Sequence, residues 1–241
     1  SDTNKTLEDA KTTKADADYS QIELRVLAHM SEDETMIEAF ENNEDIHTKT
    51  ASQVFSIDMN DVTQKQRSEA KAVNFGIIYG KSDFGLSDDL NISIKKAKEY
   101  IDSYFEKYNK IKVFMDNTIE NATDLGYVTT IFNRRRYIKE LKSPNFMLRN
   151  AGKRAAMNAP IQGSSADIIK IALVNVFRRF KKENLKSRLI LQVHDEIIVE
   201  TSLDEVDLVK EIVRNEMENA TTMKVNLDVD LNVGKSWYET K

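Results

Sequence analysis

Two apolar, β-prone runs at residues 187–193 and 197–201 are separated only by His194-Asp195-Glu196. So short a link leaves room for one arrangement, an antiparallel hairpin with a charged tip. A lone hairpin is not stable in water and needs further strands or a helix to cover it. The remaining extended candidates lie near both chain ends, a short piece at 16–20 and a final run at 224–233. Between them the period is helical: an apolar turn of helix at 21–29, then about 34–42, 47–55, 64–79, 94–122, 146–157 and 165–183. Pro160 and Gly163 are expected to interrupt the last two, and a helix at about 204–219 follows the hairpin. Residues 126–138 alternate around Asn133 and predict a second hairpin. The fold class is therefore α+β and mostly helical, with one small antiparallel sheet drawn from both ends and a helical block inserted between. Residues 1–14 are polar, lack a period and read as a disordered or poorly packed lead.

Composition narrows this further. The 241 residues suit one large domain or two small ones, and a hydrophobic fraction of 40% supplies a core. Only 2 Pro and 7 Gly argue against a loop-rich chain. With 0 Cys, disulfides and thiolate metal sites are excluded, which fits a reducing compartment. No apolar run approaches a membrane span and no signal-peptide pattern appears. A chain beginning at Ser1 rather than Met reads as a fragment or a processed product.

The most informative helix is Arg67-Ser-Glu-Ala-Lys71-Ala-Val-Asn-Phe75-Gly-Ile-Ile-Tyr79-Gly80. Arg67, Lys71, Phe75 and Tyr79 fall four apart on one stripe, and Ala70, Val73 and Ile77 fall on the other side. Two cations and two rings on one face suit a ligand with a polyanionic end and a flat ring, such as a nucleoside triphosphate. The same spacing also describes a solvated face beside core aromatics.

The net charge of −5, from 35 basic and 40 acidic residues, does not by itself suggest nucleic-acid binding. Basic residues nevertheless cluster at 134–136, 149–154 and 178–182, and acidic ones at 32–45 and 204–218. A bipolar surface can hold a phosphate backbone, and ordinary helix amphipathicity gives the same pattern. Two carboxylates stand out. Asp18 follows the first extended piece, and Asp195 sits at the hairpin tip beside His194 and Glu196. Hard oxygen ligands suit Mg²⁺, and two distant aspartates can clamp two metals. Asp is equally common as a turn or cap residue.

Taken together and in order, Asp18-Tyr-Ser-Gln-Ile-Glu-Leu-Arg, Arg67-x3-Lys71-x3-Phe75-Gly-x2-Tyr79-Gly and His194-Asp-Glu resemble motifs A, B and C of the family A, DNA polymerase I-like, DNA polymerases. The resemblance runs from about residue 15 to Lys241. It implies a palm at 15–30 and 144–241, the latter carrying the 187–201 hairpin, and fingers at 31–143 with the 64–79 helix. It implies template-directed addition of dNMP to a primer 3′-hydroxyl, with primer–template DNA and dNTPs as partners and two Mg²⁺ ions, or Mn²⁺, as cofactors.

Residue by residue, the resemblance makes Asp18 and Asp195 the metal-binding aspartates and Glu196 a supporting acid. Arg67 and Lys71 contact the triphosphate, Lys71 also as proton donor to pyrophosphate. His47, in Asp45-Ile-His-Thr, helps hold the phosphates, and Gln21 belongs to the nucleotide-binding set. Phe75 stacks near sugar and base and implies discrimination against dideoxynucleotides. Tyr79 borders the nascent pair, and Glu23 is the steric gate against a 2′-hydroxyl. Arg154, Asn158, Gln162 and His194 contact template–primer; amide donors can check the minor-groove acceptors that every base pair carries.

The segment Lys11-Thr-Thr-Lys-Ala-Asp-Ala departs from the family's apolar strand before motif A. The thumb, the first part of the palm and any exonuclease have no counterpart, so an N-terminal polymerase fragment is an expected partner. A cytoplasmic location follows for a bacterial or phage source, an organelle otherwise. Two other readings stand beside this one: a non-catalytic DNA-binding or assembly subunit that needs a partner chain, and a single-subunit RNA polymerase-like transferase, against which Glu23 argues.

Overall fold

In the computed structural model, residues 11–241 are described. The strands are β1 (Thr12–Tyr19), β2 (Tyr127–Thr129), β3 (Arg135–Tyr137), β4 (Arg188–Val193), β5 (Glu196–Ser202) and β6 (Val229–Gly234). The helices are α1 (Ile22–Ser31), α2 (Glu34–Glu41), α3 (Ile46–Phe55), α4 (Gln64–Ile78) and α5 (Asp83–Leu90). They continue with α6 (Ile94–Lys107), α7 (Asn109–Leu125), α8 (Phe146–Lys182) and α9 (Val206–Glu218). The architecture is α+β, largely helical, with a small antiparallel sheet. The chain divides into two compact units.

The first unit comprises Ser1–Ile22, Ser165–Thr222 and Asn226–Lys241. Its sheet has the order β4-β5-β1-β6, antiparallel throughout. β1 is an inner strand, so the sheet joins the two ends of the sequence as the pattern predicts. Successive side chains on a strand face opposite ways. Ala15, Ala17 and Tyr19 are buried on one face, beside Ile197 and Val199. There the Tyr19 hydroxyl donates to the Met217 carbonyl of α9 at 2.7 Å. Helix α9 turns Val209, Ile212, Val213 and Met217 inward at helical spacing. Asp16, Asp18 and, by register, Glu196 take the other face.

The second unit comprises Glu23–Ser164 and Met223–Val225. Helix α4 starts in a capping box: Thr63 Oγ1 accepts from Gln66 N at 3.2 Å, and Gln66 Oε1 accepts from Thr63 N at 2.9 Å. It ends at Gly80, whose φ of +63° only glycine adopts without strain. A Cβ there would lie 2.5 Å from Met157 Cε and 3.3 Å from Arg154 Cα. The β2–β3 hairpin and the Ala156–Ala159 stretch of α8 share a core with Ala122, Ile138 and Leu141.

Several boundaries depart from the sequence pattern. β1 starts at Thr12, so residues 12–14 belong to an inner strand and not to a polar lead; residues 1–10 lie outside the described residues. Thr13 is buried and its hydroxyl donates to the Gly234 carbonyl at 2.7 Å, which is how a polar sequence serves inside the sheet. β6 starts at Val229 and not at Lys224, because β1 ends at Tyr19, opposite Val229, and leaves no strand to pair with beyond it. The 94–122 pattern is two helices parted at Tyr108, which is fully buried. Helix α5 was not foreseen in the pattern.

Pro160 does not interrupt α8. Proline removes one N–H bond, but the buried Ala156, Ala159, Ile161 and Ser164 around it hold the helix through packing. Among the described residues no helix is long and apolar enough to cross a membrane.

Candidate functional site

In the first unit the chemistry gathers where β1 meets the β4–β5 turn. That turn has two residues, His194 and Asp195, and His194 takes a left-handed φ of 53°. Histidine is among the residues that tolerate this region. Tyr19 N donates to the Asp195 carbonyl at 3.2 Å, which ties the turn to the end of β1. Asp18 stands opposite Glu196 on one side and Asp230 on the other.

Asp18 Oδ1 is buried and has no hydrogen-bond partner. Burial, then the charges of Asp195 and Glu196, raise its carboxyl to about 6. Asp16, two residues back on the same face, is also buried with Oδ1 unpaired. Burial and its hydrogen bond with Glu196 raise it, while Thr240 Oγ1 donates to its Oδ2 at 3.0 Å. Burial works against ionisation of Glu196 too, but Lys241 Nζ at 2.6 Å and Trp237 Nε1 both donate to it and hold it below its usual range. A polar cleft of about 530 Å³ opens here, lined by Asp16, Asp18, Arg214, Asp230, Asn232 and Lys241.

Among the described residues no three His, Cys, Asp or Glu side chains converge as a ready-made metal cage. Mg²⁺ does not require one, since it takes one or two carboxylates and completes its shell with water and substrate phosphate. The buried, unpaired Asp18 oxygen, held among carboxylates, fits a divalent cation by charge and by donor type. Gln21, left-handed at φ 52°, turns the chain after β1.

In the second unit the predicted stripe on α4 forms. Ala70, Val73 and Ile77 are buried, while Lys71 and Tyr79 are exposed. Phe75 and Tyr79 stack with ring centroids 6.4 Å apart at 19°. His47 on α3 lies 5.9 Å from the Phe75 ring. The Tyr79 hydroxyl donates to Glu23 Oε2 at 3.3 Å, so the two residues expected to border base and sugar do meet.

Arg67 holds Asp45 in a fork, through Nη2 to Oδ2 at 2.7 Å and Nε to Oδ1 at 3.2 Å. Asp45 also caps α3, accepting from Thr48 N at 2.8 Å. Burial opposes its charge, but Arg67 and the Thr48 N–H bring its carboxyl down to about 2. His47 is buried, and burial, with Arg67 and Lys71 nearby, lowers its ring to about 4 against the pull of Asp45. Its Nδ1 lies 3.0 Å from Asn74 Nδ2, and its Nε2 has no partner.

Arg154, Asn158 and Gln162 follow one another at four-residue spacing on α8, with Arg154 and Gln162 exposed. Asn158 Nδ2 donates to the Ile78 carbonyl at the end of α4, at 3.3 Å.

Sequence reasoning missed four participants. Asp16 was legible, because Ala-Asp-Ala-Asp puts both acids on one strand face. Lys241, Trp237 and Asn74 gave no local signal, since each meets a partner far away in the chain.

The chain is thus α+β, with acidic groups clustered at a strand end and a hairpin turn, and with a cationic, aromatic helix. The family model of DNA polymerase family A matches residues 6–239, and the chain belongs to that family. It is 58% identical over 226 residues to DNA polymerase I of Caldicellulosiruptor bescii, covering 94% of this chain and 27% of that protein. It is 52% identical to DNA polymerase I of Bacillus subtilis, covering 93% and 26%. The POL domain of Pol1 from M. smegmatis, in complex with DNA primer-template and dNTP, superimposes with a TM-score of 0.92 at 42% identity, covering 95% of this chain and 40% of that one. The chain thus spans about a quarter of the length of the curated relatives it matches.

Proposed function

We propose that this chain carries out template-directed DNA synthesis, adding a dNMP unit to a primer 3′-hydroxyl by nucleotidyl transfer. On this reading residues 15–30 and 144–241 are the palm and residues 31–143 the fingers. The observation that carries the proposal is the half-buried Asp18 carboxylate, its Oδ1 buried and unpaired and its carboxyl pushed up to about 6, a group that folding leaves in want of a cation. Asp18 and Asp195 would hold divalent metal, Mg²⁺ by preference. Such a metal supplies Lewis acidity and neutralises developing phosphate charge.

The chain's own residues do the rest by positioning and electrostatics. Lys71 and Arg67 bind the triphosphate, and Arg67 must share or leave the Asp45 fork to do so. Lys71 is exposed and forms no ion pair among the described residues, so its charge is available to the leaving pyrophosphate. Phe75 offers its ring to the sugar and base. Glu23, joined to Tyr79, blocks a 2′-hydroxyl, which favours deoxynucleotides over the ribonucleotides of the RNA polymerase reading. Glu196, braced by Lys241 and Trp237, keeps its carboxylate ionised at the strand end. Arg154, Asn158, Gln162 and His194 contact template and primer.

The test is extension of a labelled primer–template with Mg²⁺ and dNTPs, with and without the upstream part of a relative's polymerase region. Extension is expected when the upstream part is supplied and weak or absent without it, and Asp195→Ala should abolish it while leaving duplex binding within about twofold. Undiminished extension by Asp195→Ala would overturn the metal assignment. Preferential use of ribonucleotides would overturn the choice of substrate.

A further inference from the structure

His47 is 2% exposed, and its Nε2 is the one ring nitrogen without a partner. Its other nitrogen ends a buried chain of polar groups. Asn74 Nδ2 lies 3.0 Å from Nδ1, Thr50 Oγ1 lies 3.0 Å from Asn74 Oδ1, and the Tyr108 hydroxyl lies 3.1 Å from Thr50 Oγ1. Asn74, Thr50 and Tyr108 are all 0% exposed, so no water completes this chain from outside.

The chain can be polarised two ways, and the Asn74 amide is placed for the first, with Oδ1 toward Thr50 and Nδ2 toward His47. If Tyr108 donates to Thr50, Thr50 donates to Asn74 Oδ1, and the Asn74 amide donates to Nδ1. The ring proton then sits on Nε2, and the hydrogen left over at the ring end of the chain is this Nε2–H, which a ligand acceptor can take. In the reverse sense the Asn74 amide is turned over, Nδ1–H donates to it, and the hydrogen left over is the Tyr108 O–H, buried at the far end of the chain from the ring. Burial also pushes the Tyr108 hydroxyl up, so it stays protonated and remains a donor.

We propose that Asn74 is a positioning residue that, backed by Thr50 and Tyr108, fixes His47 as a neutral Nε2–H donor for a phosphate oxygen of the incoming nucleotide. The inference rests on the triphosphate reading of α4 given above. The charged groups acting on the ring are Asp45 from its own helix and Arg67 and Lys71 from α4. An imidazolium would be a third cation beside two others, whereas a neutral N–H adds a directed hydrogen bond without that repulsion. An aspartate at position 74 would reverse the sense, because a carboxylate can only accept from Nδ1–H.

The chain has 3 histidines, so histidine labelled with ¹⁵N gives an uncrowded spectrum that His47→Gln assigns. At pH 7 the expected His47 pattern is a protonated Nε2 and a bare Nδ1, unchanged between pH 8 and 5. Saturating dATP with Mg²⁺ should shift the Nε2 signal. Asn74→Asp should move a proton to Nδ1 and make the ring titrate between pH 6 and 8, so that dATP affinity becomes pH-dependent there. Thr50→Val, a gentler change, should mix the two tautomers and weaken dATP binding roughly tenfold.

A wild-type ring that carries its proton on Nδ1, or on both nitrogens, at pH 7 overturns the inference whatever dATP does. Binding of dATP that leaves Nε2 unmoved overturns it too, and leaves the triphosphate reading intact. If dATP does not bind although the tautomer is as assigned and is lost in Asn74→Asp, the relay stands and the triphosphate reading falls.

Discussion

Half-buried Asp18 and buried His47 each keep one buried side-chain atom unsatisfied. Such atoms work against folding and collect where a ligand is to supply the missing partner. The two groups respond to pH in opposite senses. The Asp18 carboxyl is raised to about 6 in the folded chain, so its stabilising contribution is complete below the ordinary aspartate range and is lost as pH rises through 6. Asp18→Asn should therefore raise Tm by roughly 2–4 °C at pH 8 and by less at pH 5, while removing activity. Equal gains at both pH values would refute the assignment. His47 is lowered to about 4, so the unfolded chain binds the proton first, and folding loses stability as pH falls from about 6.5 to 4. In the His47→Gln variant that share of the acid loss should vanish from a series of thermal melts. Of these two positions, the sequence marked Asp18 as following an extended piece, whereas it lies inside β1, and His47 by its resemblance to a motif. It did not mark their unpaired atoms, because burial of a side chain is decided by residues remote in the chain.

Helix α4 shows which features of an element can be read locally. Thr63-x-x-Gln66 opens it, Gly80 closes it, and the four-residue stripe between them orients it, all within eighteen residues. Thr63→Ala removes the Oγ1 that accepts from Gln66 N, leaving the backbone bond to Gln66 Oε1, and should cost about 1 kcal/mol, read as a lower urea midpoint at unchanged m. Gly80→Ala meets two penalties. A left-handed φ for alanine costs about 1–2 kcal/mol, and the new methyl group runs into Met157 Cε. A destabilisation of roughly 1–3 kcal/mol is expected, and a neutral result in the same urea assay would mean that the chain does not turn at Gly80 as described. Helix α8 and the α6–α7 break are the opposite case. Pro160 and Gly163 are strong local signs of interruption, yet the helix runs on because its buried side chains have partners in α7 and the β2–β3 hairpin. Nothing near Tyr108 announces a break, and its buried hydroxyl meets Thr50, 58 residues earlier, a partner that local sequence does not reveal.

At the scale of the molecule, the two units differ in how the chain builds them. The second is nearly one continuous stretch, Glu23–Ser164, closed by helices that touch near neighbours in sequence. The first is assembled from separated stretches, and its inner strand β1 pairs with β5 across a gap such as Asp18 to Glu196, and with β6 across a longer one. Closing loops of that length must precede any gain from strand pairing, which slows folding. The carboxylate cluster exists only once β1 is in place, since Asp16 and Asp18 come from one end of the sequence and Glu196 and Lys241 from the other. We expect pulse-labelled hydrogen exchange during refolding to protect amides of α4 and α6 first, and those of β1 and β5 later and together. Shortening β1 by deleting residues 12–15 should leave the α4 and α6 amides protected while removing protection from β6 and from the β5 amides that face β1, those facing β4 keeping their partner. Simultaneous protection of both sets in the intact chain, or survival of the sheet in the shortened one, would show that the sheet does not depend on the late return of β1.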